Sequence, residues 1–315
     1  MSSATLTICG DDGVPASASA TDLARLVDAL LDEHAPRPER LSVTVVLAAQ
    51  FDAAVNEALR IGGHDFGPFE SARLGGTVRG KAVSLDEDHA GARVVIDAGW
   101  WDGESVSDTR RVSMLAHELF HSRLNRLRVE AGSTEHHAGD AYTPAAGARW
   151  SVRNAVDELR CDLAADSVLK RMFTIQTDQG PRPFPFGMLG ASDATSYLNT
   201  VPDAFDDVYA QWASLPNAEP VLNPEDQSLV ARHTGRLLTL LAHAEAEARS
   251  FEMPGPFVLP EIGEHSLAQL LQPPWQIIRT TYDRHVGWRN IDANDTAIAD
   301  AGQEAILDLW HRFGF

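Results

Sequence analysis

One stretch of the chain carries residues whose types and spacing suit metal chemistry: His117, Glu118 and His121, in the pattern H-E-x-x-H. On an α-helix, positions i and i+4 share one face about one turn apart, so both imidazoles can bind one ion. Zinc binds imidazole nitrogen at about 2.0–2.1 Å and keeps one position open in catalytic sites. Glu118 can reach that open side as a general base toward water. The motif therefore predicts one Zn²⁺ per chain.

The residues around the motif have the helical period that this chemistry requires. Apolar residues recur at steps of three and four and form an inner face: Val112, Leu115, Ala116, Leu119 and Phe120. We expect the helix to run from the polar, capping-rich segment Asp102–Asp108 to Val129. Near its end, Arg123, Arg126 and Arg128 are typical of a solvated terminus, where the helix dipole favours positive charge.

A catalytic zinc needs a third protein ligand. The positions three and six residues after His121, where metzincins carry Gly and His, hold Leu124 and Leu127 instead. Glu158 lies 37 residues after His121 (158 − 121), on the next predicted helix, and Asp162 stands one turn along the same face. Glu158 can bind the metal while Asp162 accepts the spare N–H of a ligand histidine, which fixes the tautomer. The alternative for this pair is a plain acidic helix face.

A long loop over residues 131–147 separates the two predicted ligand helices. Its length favours a functional segment, because structureless connections are usually shorter. His136, His137 and Asp140 are the alternative metal ligands in this loop. Hydrolysis of a peptide bond also needs an oxyanion donor, for which Tyr142, His136 and His137 are candidates. An ordinary surface loop remains the alternative for each of them.

These residues resemble those of the gluzincin metallopeptidases, and the chain is most similar to the ImmA/IrrE type. The resemblance rests on Ala116-His-Glu-Leu-Phe-His121 followed by Glu158-x-x-Cys-Asp-x-x-Ala165, and it covers roughly residues 75–170. The chain departs from the family pattern at Phe120, where a small residue is usual. It also lacks the aromatic residue expected after Asp162, and its ligand spacing is long.

The resemblance implies a zincin-like fold and zinc-dependent hydrolysis of a peptide bond. It makes His117, His121 and Glu158 the zinc ligands and Glu118 the base, while Arg111 lies near the family's arginine but out of register. Members are intracellular proteases, several of which cleave a DNA-binding repressor, so a DNA-binding regulator is one expected substrate. The alternative is a regulatory or binding protein with this fold and a structural or non-catalytic zinc. Glu118 counts against that alternative, because a structural site needs no base.

Composition indicates a globular chain with 44% hydrophobic and 23% charged residues. The net charge of −19 (26 basic against 45 acidic residues) disfavours direct nucleic-acid binding and favours a basic partner, such as a DNA-binding protein offered as substrate. The sequence shows no apolar run near the ~18 residues of a membrane span and no signal peptide. Cys9 and Cys161, far apart, do not suggest a disulfide scaffold. We therefore expect a cytoplasmic protein without a membrane partner.

The order of predicted elements indicates an α+β protein with two domains. Residues 1–178 form a zincin-like domain with a small, mostly antiparallel sheet and the H-E-x-x-H helix. Residues 188–315 form an all-helical C-terminal domain without an assigned role, after the Pro-rich connector Gly180–Gly187. One possibility is that this domain covers the cleft until a partner arrives. The edge of an antiparallel strand beside the zinc can hold an extended substrate, although the strands can also simply back the helix.

Several helix boundaries follow from caps and breaks. Thr21 is the predicted cap of the first helix, and Asn223 caps a helix that starts at Pro224. Pro273-Pro274 should separate a helix over Ser266–Gln272 from one over Gln276–His285.

Overall fold

The computed structural model describes residues 5–10, 13–64, 67–73, 76–133, 143–184, 194–195, 198 and 224–312. In chain order the elements are β1 Thr5–Gly10, α1 Ala18–Leu31, β2 Ser42–Ala48, α2 Phe51–Ile61, β3 Ala72–Arg73, β4 Gly76–Thr77, β5 Gly80–Ser84, β6 Gly91–Asp97, α3 Ala98–Trp101, α4 Asp108–Glu130, α5 Pro144–Met172, β7 Thr174–Thr177, β8 Gly180–Pro183, α6 Pro224–Ser250, α7 Pro260–Gly263, α8 Ser266–Arg284 and α9 Ile291–Arg312. This mixture of helices and small sheets confirms the α+β class.

A four-stranded sheet of order β1-β2-β6-β5 lies behind the motif helix. β1 pairs in parallel with β2 and β2 in parallel with β6, whereas β5 runs antiparallel to β6. The prediction of a mostly antiparallel sheet was therefore wrong. α1 connects β1 to β2 and returns the chain to the same end of the sheet, which makes the two strands parallel. Among the strands of this sheet, β5 and β6 are joined by a short hairpin connection.

One core cluster joins the sheet to α2. Its buried side chains come from β2, α2, β5 and β6 and from the segment that follows α2: Val46, Ala48, Phe51, Val55, Ala58, Phe69, Val83 and Val95. The central β2 and β6 are rich in valine, which suits strands buried within a sheet. The cluster thereby fixes α2 to one face of the sheet.

α4, the motif helix, is fixed to α1 by a buried arginine. The Arg123 side chain is 2% exposed, and its guanidinium donates hydrogen bonds to Asp32 Oδ1 at 2.7 Å and Asp28 Oδ1 at 2.6 Å. Arg128 is also buried. The prediction of a solvated helix end was therefore wrong for both arginines. The two carboxylates offset the cost of taking the Arg123 charge out of water.

Three local predictions are corrected by the structure. Ser17 caps α1, accepting a hydrogen bond from the Ala20 N–H, so the cap is not Thr21. α8 runs unbroken through Pro273 and Pro274, because proline's φ is helical and the buried face with Trp275 offsets the lost hydrogen bonds. β7 and β8 form an antiparallel hairpin, and its second strand, β8, lies in the predicted Pro-rich connector. Asn223 lies outside the described residues.

The chain divides into two compact units, and the division falls inside α5, after Leu159. Among the described residues, the first unit takes 5–73, 77–133 and 160–184, and the second takes 143–159 and 224–312. Residues 143–159, which the sequence analysis assigned to the first domain, thus group with the C-terminal helices. None of the helices in the described ranges is long and apolar enough to cross a membrane.

Glycines explain why the first half of α5 belongs to the second unit. A Cβ at Gly302 of α9 would lie 2.5 Å from Val152 Cγ1, and one at Gly235 of α6 would lie 2.9 Å from Ser151 Oγ. Only glycine allows this close approach without displacing its neighbours. The packing of α5 against α6 and α9 is a long-range feature. The periodicity of each helix does not reveal which helix it packs against.

Candidate metal centre

The first two residues of the candidate centre, His117 and His121, lie on one face of α4. Their Nε2 atoms are 3.1 Å apart, and the rings meet edge to face with centroids separated by 4.8 Å. Both histidines are half-buried, whereas Leu115, Ala116 and Leu119 of the same helix are fully buried. The helix therefore buries its apolar face in the core and presents both imidazoles together.

α5 adds a carboxylate to the two imidazoles. His117, His121 and Glu158 each offer one ligand atom, and these atoms all lie within 4.8 Å of one another. Nitrogen from imidazole and oxygen from carboxylate are donors that divalent transition metals accept. The three residues can therefore hold a metal ion.

Asp162 lies one turn beyond Glu158 and touches the first histidine. Its Oδ1 accepts a hydrogen bond of 2.8 Å from His117 Nδ1–H, and the Asp162 side chain is 5% exposed. With Nδ1 donating to the carboxylate, the lone pair of the neutral ring is on Nε2, which faces His121. This contact thus orients His117 for a metal. The neighbouring Cys161 is a fully buried thiol.

Glu118, which follows His117 in the chain, is buried and is held by the edge strand β5. Its Oε2 accepts a hydrogen bond of 2.7 Å from the Ala82 N–H. A Cβ on Gly80 would lie 3.0 Å from Glu118 Cγ, 3.1 Å from Oε1 and 2.5 Å from Met114 Sδ. The absence of a side chain at Gly80 therefore leaves the room that the Glu118 carboxylate occupies.

Phe120, one of the departures from the family pattern, is buried in the first unit. Its ring packs edge to face on His34, with centroids 5.4 Å apart. Burial lowers the pKa of His34, and the negative charge of Asp166 acts in the opposite direction. His34 is thus a packing partner for the large Phe120 ring in the core.

Sequence reasoning missed one histidine of this region, His243 of α6. Its Nε2 lies 4.0 Å from Glu158 Oε2. The two residues are 85 positions apart (243 − 158), so helical spacing cannot connect them. The one available signal was a histidine within the otherwise apolar run of residues 240–244.

The alternative loop residues His136, His137, Asp140 and Tyr142 lie outside the described residues. Their expected roles as metal ligands or oxyanion donor stay predictions. Comparison of the chain with protein-family models, with curated proteins and with solved structures finds no match.

Proposed function

We propose that the protein is a zinc-dependent intracellular endopeptidase that hydrolyses a peptide bond in a specific protein substrate. The observation that carries this proposal is the cluster of His117, His121 and Glu158, together with Glu118, which follows His117 in the chain and whose carboxylate is held by the Ala82 N–H. Three protein ligands with a neighbouring carboxylate are typical of a catalytic zinc site, whereas a structural site takes four ligands and needs no base.

The donor set fits zinc. Two His and one Glu are the protein ligands of known zinc peptidases. Donors around a tetrahedral zinc at 2.0–2.1 Å lie about 3.3 Å from one another. The two Nε2 atoms, 3.1 Å apart, are close to that separation. The two imidazoles can therefore share a single ion, and we propose that this ion is zinc, one per chain.

The chain's own residues would divide the chemistry as follows. Zinc, when bound, supplies a Lewis acid that polarises the scissile carbonyl and lowers the pKa of water. Glu118 takes a proton from the attacking water and delivers it to the leaving amine, so that water is added across the C–N bond. Asp162 keeps His117 in the tautomer that leaves Nε2 unprotonated.

The proposed substrate is a protein, with a basic DNA-binding regulator as one class. The net charge of −19 would attract a basic partner and repel nucleic acid itself. β5 is an edge strand, and apart from groups already bonded, such as the Ala82 N–H that donates to Glu118, its edge supports binding of an extended segment near the base. The substrate segment would then approach Glu118 as the strand of a sheet does.

A comparison of protein termini in the native host tests this function. Cells that produce the wild-type chain are compared with cells that produce Glu118→Gln at equal levels. We expect one or a few new termini that appear only with the wild type. Partners captured equally by both chains and never cleaved would contradict the proposal, and would favour the regulatory or binding protein with a non-catalytic zinc.

Gly80→Ala is expected to slow cleavage about 10²-fold without removing zinc, because a displacement of about 1 Å at a catalytic group can cost that much. The added methyl would lie 3.1 Å from Glu118 Oε1 and must push the base or Met114 aside. Cleavage rate and zinc content are measured on the same samples. The matched control is Gly67→Ala, where a Cβ meets nothing within 4 Å and activity should not change. Equal rates for Gly80→Ala and wild type would show that Gly80 does not position the base.

Variants of α5 separate its two acidic residues. Glu158→Gln should weaken zinc binding strongly, because it replaces a charged ligand with a neutral amide. Asp162→Asn should weaken it about 10–100-fold, through loss of the hydrogen bond that orients His117. Zinc affinity is measured by competition with a chromogenic chelator. His136→Ala and His137→Ala should bind zinc like the wild type, and a large loss in either would make the loop histidine a ligand in place of Glu158.

A further inference from the structure

We infer that His243 of α6 is a positioning residue for Glu158. The Glu158 carboxylate binds the ion through one oxygen, and His243 holds the other oxygen. The inference rests on the proposed metal centre. Nε2 of His243 lies 4.0 Å from Glu158 Oε2, and both belong to the second unit. The C-terminal helical region thereby gains a role, which is to orient a metal ligand.

The packing of α6 on α5 determines where His243 lies. Gly235 of α6 faces Ser151 of α5, where an added Cβ would come within 2.9 Å of Oγ. One turn further on, Asn154 Nδ2 donates a 2.9 Å hydrogen bond to Thr239 Oγ1. Another turn along both helices brings His243 to Glu158. Because these contacts follow one face of each helix at steps of three and four residues, the position of His243 does not depend on its own side chain.

The chemistry of the pair suits a hydrogen bond from imidazole to carboxylate. A carboxylate that binds a metal through one oxygen retains a second oxygen, which accepts an N–H donor. The side chains of His243 and Glu158 are 26% and 18% exposed, so little water competes for this contact. The 4.0 Å separation is longer than a hydrogen bond, and such contacts at catalytic sites often tighten on ligand binding. We expect the contact to shorten when Glu158 turns toward the ion.

His243 is not assigned as a fourth ligand. The ligand atoms that lie within 4.8 Å of one another belong to His117, His121 and Glu158, and the group does not include His243. His243 meets the cluster through the carboxylate of Glu158. Its role therefore parallels that of Asp162. Asp162 orients a different ligand, His117, through Nδ1, the ring nitrogen that does not face the metal.

Three variants of the full-length chain test the inference. His243→Leu removes the donor at similar size, His243→Gln keeps an N–H donor, and His311→Leu makes the same change at an exposed histidine of α9. We expect His243→Leu to lower zinc affinity about 10–100-fold, as loss of a partner that orients a ligand does. His243→Gln should recover most of that loss, and His311→Leu should bind like the wild type. The absorption bands of the Co²⁺-substituted protein should shift in the leucine variant and return in the glutamine variant.

The outcomes distinguish this inference from the proposed function. Equal zinc affinity for His243→Leu and wild type would overturn the role of His243 alone. An equal loss in His243→Leu and His243→Gln would also overturn it, because packing and not the donor would then be responsible. Absence of zinc from the wild type would overturn both the inference and the metal centre. If His243→Leu does not fold, His243→Ala replaces it in the comparison with His243→Gln.

Discussion

Replacing His117 or His121 by alanine is expected to abolish stoichiometric zinc binding, because either change leaves two protein ligands. Zinc should raise the unfolding temperature of the wild type and leave that of both variants unchanged, since an ion that binds only the folded state stabilises it. Metal analysis of the purified chains and thermal unfolding with and without zinc measure these effects. The exposed His311 supplies the control, and His311→Ala should bind one zinc per chain.

Without metal, His117→Ala and His121→Ala should differ in thermal stability. His117→Ala removes the partner of Asp162, whose carboxylate is then buried without that hydrogen bond. Removal of a hydrogen-bond donor from a buried carboxylate is destabilising. We therefore expect metal-free His117→Ala to unfold at a lower temperature than metal-free His121→Ala. Full zinc occupancy in both variants would contradict the assignment of the metal centre.

Glu118→Gln is expected to lower the cleavage rate by a factor of at least about 10²–10⁴ while zinc and fold are retained. Glutamine has the size of glutamate, and its amide oxygen can still accept the hydrogen bond from the Ala82 N–H. It cannot take a proton from water. Single-turnover rates on a peptide that spans the cleavage site found in the host measure the loss. Zinc content and peptide affinity are determined on the same preparation.

Glu104→Gln supplies the matched control for this change, since Glu104 is exposed on the connection before α4. It should cleave like the wild type. Cleavage by Glu118→Gln at the wild-type rate would exclude Glu118 as the base. Loss of cleavage together with loss of zinc would also contradict the assignment, since Glu118 is not expected to be a ligand.

Helical spacing was enough to predict the parts of the site that lie within one or two turns of a helix. His117 and His121 face the same way because they are four residues apart on α4, and Glu158 and Asp162 are related in the same way on α5. This spacing also led to the expectation that Asp162 contacts a ligand histidine, and the structure places it against His117. Such features involve one or two helical turns, so they are readable without the fold.

The residues that reach the site from distant parts of the chain could not be predicted, because long-range packing selects them. The Ala82 N–H reaches Glu118 from an edge strand 36 positions earlier, and His243 reaches Glu158 from a helix 85 positions later (118 − 82 and 243 − 158). The parallel pairing of β1 with β2 and the burial of Arg123 were mispredicted for the same reason. Alternation and helical period report which face of an element is apolar. They carry no information on which element will cover that face, because long-range packing selects the partner.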